Sequence, residues 1–196
     1  MTPPPDDAGA DARDGDSHDG DRHDAYDRLR RRVLWSMPTG LYVVGSRASA
    51  PGGEIERNLM TANLVVQVAT DPKLVAVAVD VTAVTCRLVD AGGCFSVSIL
   101  DRADRAVVRR FVKPVTDITV GPDGRVTAMA GEAVVEATTG APILSRAVAW
   151  LDCEVRHRLP LGSHELFVGE VVAVGGPDGD VPDVLRMEDT RMNYGG

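Results

Sequence analysis

Between residues 41 and 174 the chain repeats one pattern: short apolar runs, heavy in β-branched valine, cut by Gly, Pro and Asp. Leu41–Ser46, Leu59–Ala69, Leu74–Val79, Cys94–Leu100, Ile118–Val120, Arg125–Met129, Ala133–Val135, Ala147–Val155 and Glu165–Val174 all read as strands. Leu59–Ala69 carries a polar interruption, and Leu74–Val79 is apolar on both faces, as a buried strand would be. Asp71-Pro72, Gly121-Pro-Asp-Gly124 and Pro177-Asp-Gly179 supply turns, and Ala48–Glu54 a loop. So many strands, with so few helical stretches between them, do not suit a doubly wound α/β sheet. A mainly β domain, closed antiparallel into a small barrel with a few short helices, fits better. Aromatic residues are only 4% of the 196, so the core is built from Val, Leu, Ile and Ala.

Three stretches depart from the strand pattern. Leu29, Val33, Leu34 and Trp35 have helical spacing and suggest a short helix or turn packing onto the body. Val84 and Leu88 stand four apart after Thr82 and before Gly92-Gly93, which predicts a helix capped by Thr82 and stopped by glycine. Asp101 is placed to cap another helix running to about Arg110. Residues 1–24 hold eight Asp against two Arg and almost no large apolar side chains, which predicts a disordered acidic tail before a domain over 25–196.

That tail accounts for most of the net charge of −8, leaving a body close to neutral with no basic surface for nucleic acid. No apolar run is long enough to span a membrane, and the acidic N-terminus lacks the features of a secretory signal. Cys86, Cys94 and Cys153 form neither a disulfide framework nor a zinc pattern, so a reducing cytoplasm is expected and no metal site. His18 and His23 among the tail aspartates fit a solvated segment better than a metal site. Arg105–Lys113 reads as a solvated helix face, His157 as a surface residue of a strand, and Trp35 and Trp150 as core or interface. No GxGxxG after a strand, Walker loop, GxSxG or HExxH is present, and no spacing singles out a Ser-His-Asp set.

Two features carry candidate chemistry. Asn58-Leu-Met-Thr-Ala-Asn63 places small and polar residues in a strand-forming stretch, suiting either a flat ligand's edge or a barrel corner. Asp80-Val-Thr82-Ala-Val-Thr85 stands at a helix start, where hydroxyls and free N–H groups suit an anion, or where Thr82 simply caps its helix.

These stretches resemble the flavin reductase-like FMN-binding split-barrel family. Met37–Gly45, Leu59–Asn63 with Asp71–Val75, and Gly162–Val171 are similar to family motifs in family order, and so are Phe95–Leu100 and the ending Arg191–Gly196. The likeness covers about residues 29 to 196, with Gly45 standing where the family often has Thr. It implies an antiparallel, Greek-key-like split barrel that dimerises around FMN, with FAD as the alternative flavin. Met60, Thr61, Ala62 and Asn63 would line the flavin ring and Thr82 and Thr85 would bind its phosphate, with Arg87, further along that helix, either adding charge there or, as the residues favour, facing solvent. His164 would lie at the open face of the flavin, where a nicotinamide stacks. The implied activity is NAD(P)H-dependent flavin reduction, supplying a separate monooxygenase; a non-catalytic flavin carrier or store is the alternative.

Overall fold

A computed structural model describes residues 15–180 and 183–192 of the chain. Helix α1 (Gly15–Trp35) lies in a unit of its own, separate from the body that begins at Thr39. An Asp27–Arg30 pair one turn apart supports α1, and Arg32 suits the negative end of its dipole. It stops before Met37-Pro38, since proline disfavours helical backbone in the residue preceding it. The helix was expected nearer Leu29; it starts at Gly15, while residues 1–14 of the expected tail lie outside the described residues.

The body is two antiparallel sheets. The larger runs in the order β2 (Ile55–Ala62), β1 (Tyr42–Ser49), β5 (Cys94–Ile99), β10 (Ala149–Leu161), β11 (His164–Gly175), β4 (Lys73–Asp80), β3 (Val65–Thr70). The smaller holds β6 (Ile118–Val120), β7 (Val126–Met129), β8 (Glu132–Glu136) and β9 (Pro142–Leu144). Strands β2 and β3 are the two edges of the larger sheet, yet only Asn63 and Leu64 separate them in sequence. Laid flat, seven strands would hold their edges roughly 29 Å apart at about 4.8 Å per step. The link reaches at most about 11 Å at 3.8 Å per residue. The sheet therefore coils into a barrel left open along β2 and β3, which is the split barrel.

Two apolar clusters sandwich β1, which explains why its consecutive residues are buried. Val44 joins Val75, Val77, Val79, Phe95, Val97 and Phe167 inside the barrel, with Val89 of α2 (Val84–Gly92). Val43 faces the other way, into Leu59, Leu100, Phe111, Met129 and Leu144 beneath the small sheet. Gly45 lies where the sheets meet: a Cβ there would stand 1.9 Å from the Pro142 carbonyl oxygen. The family's frequent Thr has no room, because that carbonyl comes in to accept the Ser96 hydroxyl at 2.6 Å.

Several expectations change. The stretch Leu59–Ala69 is divided between two strands, because the chain turns at Asn63 and Leu64 between the barrel's edges; the rest of the polar interruption, Asn58 to Ala62, is paired with β1 as part of β2. The helix after Asp101 is instead two 3-10 turns, Arg102–Asp104 and Val107–Phe111. Asp101 does cap, accepting from the Ala103 N–H at 2.7 Å. The continuous helix fails because Val107, Val108 and Phe111 are all drawn into one cluster, and the Thr61 hydroxyl takes the Val108 carbonyl at 2.6 Å. Strand β9, with its leading proline, was not foreseen.

Candidate functional site

Strand β4 ends where the β10–β11 hairpin turns. In register, His164 stands opposite Asp80, and the Val81 N–H donates to the Ser163 carbonyl at 3.1 Å. Cross-strand partners share a face, so the Asp80 and His164 side chains stand on the same side of the sheet. The His164 Nδ1 lies 3.0 Å from the Ser163 hydroxyl.

The chain turns from Asp80 into α2 through Thr82. One carboxylate oxygen of Asp80 accepts both the Thr82 N–H, at 2.8 Å, and the Thr82 hydroxyl, at 2.6 Å. These bonds, the hydroxyl's foremost, hold the Asp80 carboxyl below its ordinary value, and the nearby His164 acts in the same direction. Thr82 was expected to cap α2. The cap residue is Ala83, with no side-chain bond, because Asp80 has captured the hydroxyl. The helix closes as expected on glycine: Gly93 takes a φ of 65°, and its N–H donates to Val89.

Thr85 and Arg87 stand apart from Thr82. The Thr85 side chain is fully buried, its hydroxyl accepting from Asn58 Nδ2 at 2.9 Å. Arg87 is exposed and pairs with Glu56 on β2. Neither side chain is aimed at a phosphate beside Thr82. Of the expected ring residues, Met60 and Asn63 are partly exposed, whereas Thr61 and Ala62 are buried. Only main chain and two side chains of that stretch are open to a ligand.

Asn58 was named in sequence only as the first residue of the polar interruption. It is the buried stitch of this region, donating to Thr85 and accepting the Val115 N–H at 2.9 Å through Oδ1. The available signal was an amide side chain inside an apolar strand, which must find partners once buried.

The donor set fits an anionic group. Thr82 presents an N–H and an O–H in the turn just before α2, donors of the kind an anion takes, and both are held by the Asp80 carboxylate oxygen that a phosphate would displace. A cavity of about 250 Å³ opens elsewhere, at the Lys73 end of β4, among Tyr42, Val65, Ile99, Leu151 and Val171. It is an apolar mouth of the barrel, where burial raises the Tyr42 phenol above its usual value. Its lining reaches Val75, and the five steps of β4 from there to Asp80 span roughly 17 Å at about 3.3 Å each. No helix among the described residues is long and apolar enough to cross a membrane.

Residues 34–195 match the family described as flavin reductase like domain. The NADH-dependent FAD reductase of Streptomyces globisporus is 33% identical over 147 residues, covering 74% of this chain and 75% of that protein. Among solved structures, the NADH:FAD oxidoreductase SgcE6 of Streptomyces globisporus C-1027 is similar with a TM-score of 0.67 and 27% identity. That match covers 87% of this chain and 94% of the other. The styrene monooxygenase flavin reductase of Pseudomonas putida S12 is similar with a TM-score of 0.60 and 27% identity, over 80% and 90% of the two chains.

Proposed function

We propose that this chain, which belongs to the flavin reductase-like domain family, is an NAD(P)H-dependent flavin reductase. The family match over residues 34–195 supports it. The observation that carries it is the meeting of His164 with the Asp80–Thr82 turn on one face of the barrel. When bound, a flavin supplies the hydride-accepting chemistry, which belongs to the cofactor. The chain's part is to bind and orient. Thr82 and the start of α2 hold the phosphate end, and the corner from Met60 to Asn63 borders the ring mainly through its backbone. His164 receives the nicotinamide side. Thr85 and Asn58 act at one remove, fixing α2 to β2. Holding donor and acceptor together removes most of the entropic barrier, which is why no acid–base pair is needed.

FMN and FAD both suit this arrangement, since each carries a phosphate beside its ribityl chain. The reduced flavin then serves a separate monooxygenase, as the similarity to the styrene monooxygenase flavin reductase of Pseudomonas putida S12 suggests. A second copy is proposed to cover the exposed Leu64, Val66 and Val68 of the barrel edge. The three buried, unpaired cysteines suit a reducing cytoplasm. The test is anaerobic mixing of the protein with FMN, FAD or riboflavin and then NADH or NADPH. Rapid bleaching of the visible flavin band is expected with at least one pair. Bound flavin that stays oxidised would replace this reading with a carrier or store.

A further inference from the structure

Arg158 on β10 joins two elements that the proposed function uses separately. Its Nε donates to Oε1 of Glu165 at 2.6 Å and its Nη2 to Oε2 at 3.3 Å, a two-point hold on one carboxylate. Its Nη1 donates to Oδ1 of Asp90, in the last turn of α2. Glu165 is only 5% exposed and directly follows His164 on β11, opposite Val79 of β4. A carboxylate buried to that degree keeps its place only while it is paired. The ladders with β10 and β4 run to the hairpin tip, at Leu161–His164 and His164–Asp80, but they do not reach α2. Leu159 and Leu161 are exposed, and beyond the strand ladder the tip is tied to β4 by the Val81–Ser163 bond.

We propose that Arg158 is a positioning residue that clamps the His164 end of the β10–β11 hairpin to α2. It thereby sets where the nicotinamide-side imidazole stands relative to Thr82 at the start of the same helix. The planar guanidinium is what permits this, because one compact ammonium cannot hold a bidentate carboxylate and a second acid in fixed directions. Glu165 is buried and depends on this cation, while the exposed Asp90 supplies the tie to α2, so a change at either loosens the contact between hairpin and helix. The kinetic consequence rests on the flavin reductase reading, whereas the mechanical one does not.

The experiment compares the full chain with Arg158→Met, Arg158→Lys and Glu165→Gln. Three quantities are measured: amide exchange in the flavin-free protein, flavin affinity by fluorescence quenching, and steady-state kinetics with NADH and NADPH. In Arg158→Met and Glu165→Gln, the Val81 amide and those of residues 162–165 should exchange roughly tenfold faster or more, with β1 and β2 unchanged. The nicotinamide KM should rise roughly tenfold while kcat and flavin affinity stay within about twofold. Arg158→Lys should recover part of the KM. Unchanged exchange at the hairpin would overturn the proposal. So would a higher KM accompanied by parallel losses of kcat, flavin affinity and melting temperature, which is the mark of a merely structural residue. If the wild-type chain oxidises neither nicotinamide, the flavin reductase reading falls and the exchange pattern alone decides the clamp. Should Arg158→Met fail to fold, Glu165→Gln carries the same test, because an amide buries without a cation.

Discussion

Asp80 puts a negative charge on the donors that an incoming phosphate would use. Its carboxyl is held below the ordinary value by the Thr82 hydroxyl first and the Thr82 N–H second, so it is ionised at neutral pH. Asp80→Asn keeps an oxygen to accept those bonds and removes the charge. FMN affinity should then rise roughly two- to fivefold at low salt, and the gain should shrink at high salt, since exposed charges are screened. Riboflavin has no phosphate and serves as the control in a fluorescence titration. Equal changes for both flavins would show that Thr82 does not meet the phosphate. A second residue-scale effect belongs to Cys153. Burial first, and then the Asp152 charge, push its thiol up to about 12 from 9.0. The folded state thus favours the neutral thiol. Its contribution to stability is complete below pH 9 and declines as pH rises toward 12, because the unfolded chain ionises first. A urea midpoint that falls between pH 9 and pH 11 is expected, and the fall should be smaller in Cys153→Ala, with Cys86, Cys94 and Tyr42, also raised by burial, supplying the rest. Below pH 9 the native thiol should also resist alkylation, since the thiolate is the reactive form.

At the scale of elements, α2 is held by the side-chain bond to Asn58 as well as by its apolar face. Asn58→Ala deletes one buried and one part-buried hydrogen bond and leaves the Thr85 hydroxyl and the Val115 N–H without these partners. A loss of about 2–4 kcal/mol in urea unfolding is expected, near 1–3 per orphaned group with partial relaxation. Flavin affinity should fall with it, since α2 follows directly on the turn that holds Thr82. An unchanged midpoint would mean that water replaces both partners. How legible these elements were follows from what each signal measures. The helix α2 and its glycine stop, and the strands around Val43, Val77 and Val97, were plain because apolar period and turn chemistry are local. Thr82 as a cap and Thr85 as a phosphate ligand were not settled by such signals. A hydroxyl chooses its partner by three-dimensional proximity, and here Asp80 and Asn58 stand nearer. The 3-10 turns after Asp101 were missed for the same reason, since tertiary burial of Val107, Val108 and Phe111 outweighs a local cap. The Arg158 clamp joins residues 68 positions apart and left no mark in spacing.

At the scale of the molecule, the two-residue corner at Asn63 and Leu64 decides the architecture. It forces the sheet to coil, and it leaves β3 as an edge strand with Leu64, Val66 and Val68 exposed on its outer side. An apolar edge strand invites pairing or coverage, and proteins that leave one open usually guard it with charge or proline. Val65–Thr70 has neither, so a specific second copy is the economical way to bury it. Lysine at Val68 should break that coverage without disturbing the barrel, because the Val68 side chain is half exposed and lies outside both apolar clusters. Sedimentation at micromolar concentration should find the wild type dimeric and Val68→Lys shifted toward monomer, with the amide-exchange pattern of β4 and β11 retained. If flavin sits between the copies, the monomer should also bind it more weakly. A monomeric wild type would instead leave the flavin to one chain, and would require the exposed edge to be explained by another partner.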